Sequence, residues 1–179
     1  MTFGAGSRRA LAVERTVTLR EQILAGLAAG IAGGVLIDLF LFAVELAGGT
    51  PAARLAGNFA FIAATLLGPG AYASPAAVPL GVVLHFAVSV GWALGYVYLV
   101  RSQPQLLTRP IISGAGFGLT VYVFMQIVLL TAGQYHRPSP GVLGTQLAAH
   151  LVFFGIPVAL IVSRALSARS PRPRLSRSR

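Results

Sequence analysis

Four apolar runs dominate this chain, and each is too long and too poor in charge to be folded away inside a water-soluble domain of this size. They cover roughly residues 23–46, 78–100, 110–131 and 141–166. A hydrocarbon core about 30 Å thick is crossed by about 20 apolar residues of helix, at about 1.5 Å each. Each run meets that length. Within lipid every backbone N–H and C=O must be satisfied without water, which single segments achieve only as helix. The expectation is an all-α integral membrane protein with four transmembrane helices in a glycine-rich bundle. A fifth stretch, "AGNFAFIAATLLGPG" over residues 56–70, is too short to span and ends in Gly-Pro-Gly. It reads as a short interfacial or re-entrant helix in the first outer loop.

Composition narrows the function classes. Only 10% of the residues are charged, against about 25% in soluble domains, so the chain has little polar surface to show to water. No cysteine is present, which excludes disulfides, thiolate metal sites and cysteine nucleophiles. All 14 basic residues are arginine, a usage that fits GC-rich coding in a bacterium. Without lysine there is no phosphate-binding loop of the GxxxxGK[ST] type.

Arginine placement sets the expected orientation, because basic flanks of short loops are retained on the cytoplasmic side. Arg8, Arg9, Arg15 and Arg20 precede the first run, Arg101 and Arg109 follow the second, and six more from Arg164 onward lie at or beyond the end of the fourth. Only Arg54 and Arg137 are left for the other face. Both termini are therefore expected in the cytoplasm of a bacterial inner membrane. The organisation is a cytoplasmic arm over 1–22, a membrane domain over 23–166 and a basic tail over 167–179. The first run carries Asp38 and Glu45 and is long for a signal peptide, so it reads as a retained span. The tail, "RSPRPRLSRSR", is expected to be disordered against anionic lipid headgroups. No aromatic residue interleaves its arginines, and nucleic acid is not an expected partner.

Depth turns scattered polar residues into a pattern. His85 lies roughly 9 Å below the outer end of its span, and His150 roughly 10–14 Å below the outer end of the fourth. Asp38 lies roughly 12 Å from the outer end of the first span, with Glu45 seven residues later near the interface. Gln126 sits about five residues before the end of the third. Each span thus places an ionisable or amide side chain in the outer half of the bilayer. Helical spacing adds Ser89, Trp92 and Tyr96 to the stripe of His85, pairs Gln146 with His150, and pairs Tyr122 with Gln126.

Such groups are costly in hydrocarbon, so they turn toward the bundle interior and pair. The expected site is a polar layer of Asp38, Glu45, His85, Ser89, Gln126, Gln146 and His150, sensing or relaying protons through residues that titrate near neutrality. Two histidines at one depth are also the minimum for a haem b, with His85 and His150 as ligands. A divalent metal on the same histidines lacks any HExxH-type spacing. Ser89 lies one turn from His85, but no elbow or oxyanion motif surrounds it, and no catalytic residue is assigned. In a structural or assembly subunit, the layer would only fix helix register, with a homo-oligomer or larger membrane complex as partner. Close helix approach is expected at the small-xxx-small ladders Gly26, Gly30 and Gly34, Gly91 and Gly95, and Gly114 and Gly118.

Four segments, "GLAAGIAGGVLIDLFLFAVE", "LHFAVSVGWALGYVYLV", "YHRPSP" after a glycine-rich third span, and "AAHLVFFGIPVALIVSRAL" running into arginines, carry a family likeness. In their order the chain resembles the YagU-type bacterial inner-membrane proteins, from about Ala25 to Arg169. The resemblance implies a multi-span protein linked in general terms to acid resistance, with His85, Gly95, Tyr96 and His150 at the matching positions. The first loop is shorter and less aromatic than that family implies.

Overall fold

The computed structural model describes residues 17–167. The expected arm through residue 16, with Arg8, Arg9 and Arg15, and the basic tail from residue 168 lie outside the described residues. Six α-helices follow in order: α1 (Leu19–Ala47), α2 (Gly57–Leu67), α3 (Ala77–Ser102), α4 (Pro110–Thr131), α5 (Pro140–Ala148) and α6 (Ile156–Ser167). A π-helical segment, Ala149–Gly155, joins α5 and α6 into one span, Pro140–Ser167. No strand occurs among the described residues. The chain is a helical, multi-pass membrane protein, with four helices long and apolar enough to cross a bilayer and the shorter α2 between the first two.

Local chemistry explains the helix limits. Thr18 caps α1 by accepting from the Glu21 N–H at 3.3 Å, while the Glu21 carboxylate accepts from the Thr18 N–H at 2.9 Å. That reciprocal capping box satisfies two N–H groups the helix cannot. Helix α4 opens on Pro110 and α5 on Pro140 behind the Ser139 cap, where a missing N–H costs nothing. Helix α2 stops at Gly68, whose φ of 77° is open to glycine and strained for other residues.

Glycine decides which helices touch. A Cβ on Gly30 would stand 2.5 Å from the Val90 Cα, and one on Gly26 would meet the Leu94 side chain. Gly34 lies against Phe86 and Ser89, so the first ladder packs α1 on α3. Gly114 and Gly118 face Gly155, Ile156 and the His150 backbone, which packs α4 on the fourth span. The expectation fails for Gly91 and Gly95, for which no described atom lies within 4 Å of an added Cβ. Both point off the outer side of α3 and support no contact inside the bundle. Three further glycines make contacts instead: Gly33 against Phe154 and Val158, Gly155 against α4, and Gly81 against the Phe59 carbonyl of α2.

The four spans form a ring in which α1 lies between α3 and the fourth span, and α4 lies against the far side of the fourth span. Between α3 and α4 aromatic rings fill the gap. Trp92 meets Phe117 and Phe124 edge-on, and Tyr96 leans on Phe117. Tyr96 is fully buried and donates to Ser113 Oγ at 2.9 Å, while that hydroxyl donates to the Leu106 carbonyl at 3.0 Å. Ser163 donates to the Leu107 carbonyl at 2.9 Å. The 103–109 connection is thereby tied to the α3–α4–α6 end of the bundle. Outside, Leu39, Val83, Ile111, Ile112 and Leu130 are each more than half exposed, an apolar exterior suited to lipid as solvent.

Candidate functional site

The end of the bundle opposite the 103–109 connection is not filled. A cavity of about 240 Å³ opens there between α1, α2, α3, α4 and the fourth span. Asp38, Glu45, His85, Gln126, Gln146 and His150 all line it. Below it lies a second space of about 90 Å³, bounded by Ser89, Trp92, Val121 and Phe154 among others. His85, His150, Ile37, Ile62 and Met125 line both. The two spaces are therefore lobes separated by a belt of five side chains, two of them imidazoles. The seven residues expected to form a polar layer all face one of the lobes, with Ser89 in the lower one.

His85 is held by α1. Its Nε2 lies 3.2 Å from Asp38 Oδ2 and 3.3 Å from the Gly34 carbonyl. Both partners accept only, so Nε2 carries the hydrogen and Nδ1 is the remaining acceptor of the neutral ring. The side chains are 15% and 17% exposed for His85 and Asp38. Gly34 makes the contact possible, because it lets Phe86 and Ser89 of α3 close on the α1 backbone. Phe86 and Phe59 pack edge-on against the imidazole, with centroids 5.1 and 6.0 Å away. The proton on Nε2 is thus fixed by helix packing as well as by charge.

His150 has the opposite tautomer. Its Nδ1–H donates to the Gln146 carbonyl at 2.8 Å, which leaves Nε2 as acceptor in the neutral ring. His150 is the second residue of the π-helical segment, where backbone N–H groups reach five residues back instead of four. The Gln146 carbonyl accepts from the Ala149 N–H as well as from the His150 ring. Tyr122 of α4 stacks edge-on against the ring at 5.4 Å. Single π turns of this kind are frequent at functional sites.

One polar residue of the cavity was not expected from sequence. Asn58 of α2 donates from Nδ2 to Glu45 Oε1 at 2.8 Å, and Phe59, Phe61, Ile62 and Thr65 of α2 join it in the cavity wall. Read alone, α2 is only a short apolar helix. What could have flagged it is Asn58 itself, a polar residue at the start of an apolar stretch that follows Glu45 by one loop. The third histidine, His136, sits exposed in the 132–139 connection and bonds the Gln134 carbonyl at 3.0 Å.

The residues present do not fit a bis-imidazole haem. Pockets for drug-sized molecules occupy about 300–1,000 Å³, and the main lobe, at about 240 Å³, falls short of that for a porphyrin that is larger still. His85 Nε2 is also already committed to Asp38 and Gly34. Among the described residues no group of three or more His, Cys, Asp or Glu side chains is arranged to hold a metal ion. Chemically, the arrangement offers two imidazoles and two carboxylates around one small cavity, a set suited to gaining and losing protons. Comparison of the chain with family models, with curated proteins and with solved structures gives no match.

Proposed function

We propose that this is a small protein of the bacterial cytoplasmic membrane, of the stress or homeostasis kind, which takes up and releases protons at His85 and His150. Its termini are assigned to the cytoplasm on the arginine asymmetry, so the cavity opens to the outer compartment. The observation that carries the reading is the 3.2 Å contact of His85 with Asp38 in a cavity that His150 also lines. The resemblance to the YagU-type proteins, with their link to acid resistance, points the same way.

The test is a histidine titration by NMR on the full chain in lipid nanodiscs. His85 or His150 is expected to change protonation between about pH 5 and 8, with the assignment made by His85→Gln and His150→Gln. Two imidazoles that hold one protonation state throughout that range would overturn the proposal.

A second reading, a structural or assembly subunit, is favoured by Gly91 and Gly95, which face no described neighbour and would admit a second helix closely. Cross-linking from α3 in membranes to another chain supports it. A monodisperse monomer in nanodiscs that retains full pH response overturns it.

A further inference from the structure

Two of the four acidic residues of this chain, Asp38 and Glu45, face the same cavity, in a protein whose formal net charge is +10. No arginine lines either lobe. The groups that could neutralise the carboxylates are His85, against Asp38, and His150 across the belt. The other polar groups, Asn58 and Thr65 from α2, Gln126 from α4 and Gln146 from α5, are uncharged. Tyr122, behind His150, is neutral as well. With both imidazoles neutral and both carboxylates ionised, the cavity would carry two negative charges, which attract a cation more strongly there than in bulk water.

The walls are aromatic where the charge is. Phe42 and Phe59 meet edge to face at 6.0 Å beside Glu45 and Asn58, and Phe61 completes that side. Phenyl faces attract cations and are the usual walls of sites for substituted ammonium groups. Glu45 is held by a neutral partner, Asn58, and no arginine stands against it in the cavity. The lower lobe is apolar apart from Ser89 and the two histidines, and can take a hydrocarbon or ring substituent.

We infer that this cavity binds a small monovalent organic cation, an amine or quaternary ammonium with a short apolar substituent, its charge between Glu45, Asp38 and the phenyl rings. A ligand smaller than drug-sized follows from the volume. Resting on the proton reading above, protonation of His85 and His150 cancels the negative charge and expels the cation. Proton and organic cation then compete for one site. An anion or a neutral molecule of the same shape has no such hold.

The experiment is isothermal titration calorimetry on the full chain in nanodiscs with benzyltrimethylammonium, benzyl alcohol and benzoate as probes. Benzyltrimethylammonium is expected to bind at about pH 8 at least tenfold more tightly than benzyl alcohol, and benzoate not to bind. Glu45→Gln keeps an acceptor for Asn58 and removes the charge, and is expected to weaken the cation at least tenfold with an unchanged melting temperature. Equal binding of the cation and the alcohol, or a cation affinity untouched in a folded Glu45→Gln protein, overturns the inference. Failure of the proton reading registers separately: charge selection persists, but affinity for the cation is the same at about pH 5 and about pH 8.

Discussion

His85 of α3 and Asp38 of α1 meet at 3.2 Å through a nitrogen that also points at the Gly34 carbonyl, one turn back on α1. One N–H therefore ties two helices together at two points. The imidazole cannot turn without giving up both.

Removing the carboxylate should be felt in stability. Asp38→Ala leaves the Nε2–H with one long bond, and a lost partner for a largely buried group costs about 1–3 kcal/mol. Asp38→Asn retains an oxygen acceptor and should cost less. Unfolding in mixed micelles measures both. Equal losses for the two variants would show that the hydrogen bond is not what Asp38 contributes.

The two histidines should differ in tautomer. Once the pH is high enough that both rings are neutral, nitrogen-15 shifts are expected to show hydrogen on Nε2 of His85 and on Nδ1 of His150. The reverse assignment for either ring would contradict the bonds to Asp38 and to Gln146.

Glycine substitutions separate inward from outward faces. Gly30→Ala places a methyl group 2.5 Å from the Val90 backbone, and overpacking of this kind costs about 1–3 kcal/mol. Gly91→Ala meets no described atom and is expected within about 0.5 kcal/mol of the parent. Melting temperatures in detergent decide the matter, and a Gly91 variant as damaged as the Gly30 variant would refute the packing assigned here.

Helix α2 depends on one polar tie. Asn58→Ala removes the donor to Glu45 while leaving the Phe59 backbone against Gly81. Hydrogen exchange over residues 57–67 is expected to accelerate severalfold, with α3 and α4 unchanged, because local opening reports local contacts. Unaltered exchange in α2 would show that its apolar face alone holds it.

The sequence expectations succeed where a single helix decides the outcome. Span lengths follow from bilayer thickness, and the shared level of Asp38, His85, Gln126 and His150 follows from rise per residue, but the cavity they line is a relation between helices that no single span discloses. Other relations between helices were no more legible. GxxxG spacing places Gly91 and Gly95 on one face but does not say whether a neighbour stands there. Gly33 and Gly81 lie beside or outside the ladders, yet each sits against a neighbouring helix where Gly91 and Gly95 do not. The π-helical turn at His150 was equally hidden, since nothing in "AAHLVFFG" departs from an ordinary apolar helix. Asn58 gained its meaning only when α2 folded back over Glu45.

The bond from Tyr96 to Ser113, and from Ser113 to the Leu106 carbonyl, closes the end of the bundle away from the cavity. In thermodynamic terms the cavity is then a blind chamber, open at one end of the bundle and packed shut at the other. A solute entering it returns by the same mouth, and no net flux follows from the gradient across the membrane. A second mouth would require the buried packing of Tyr96 against Phe117 to open as well as the hydroxyl pair to part.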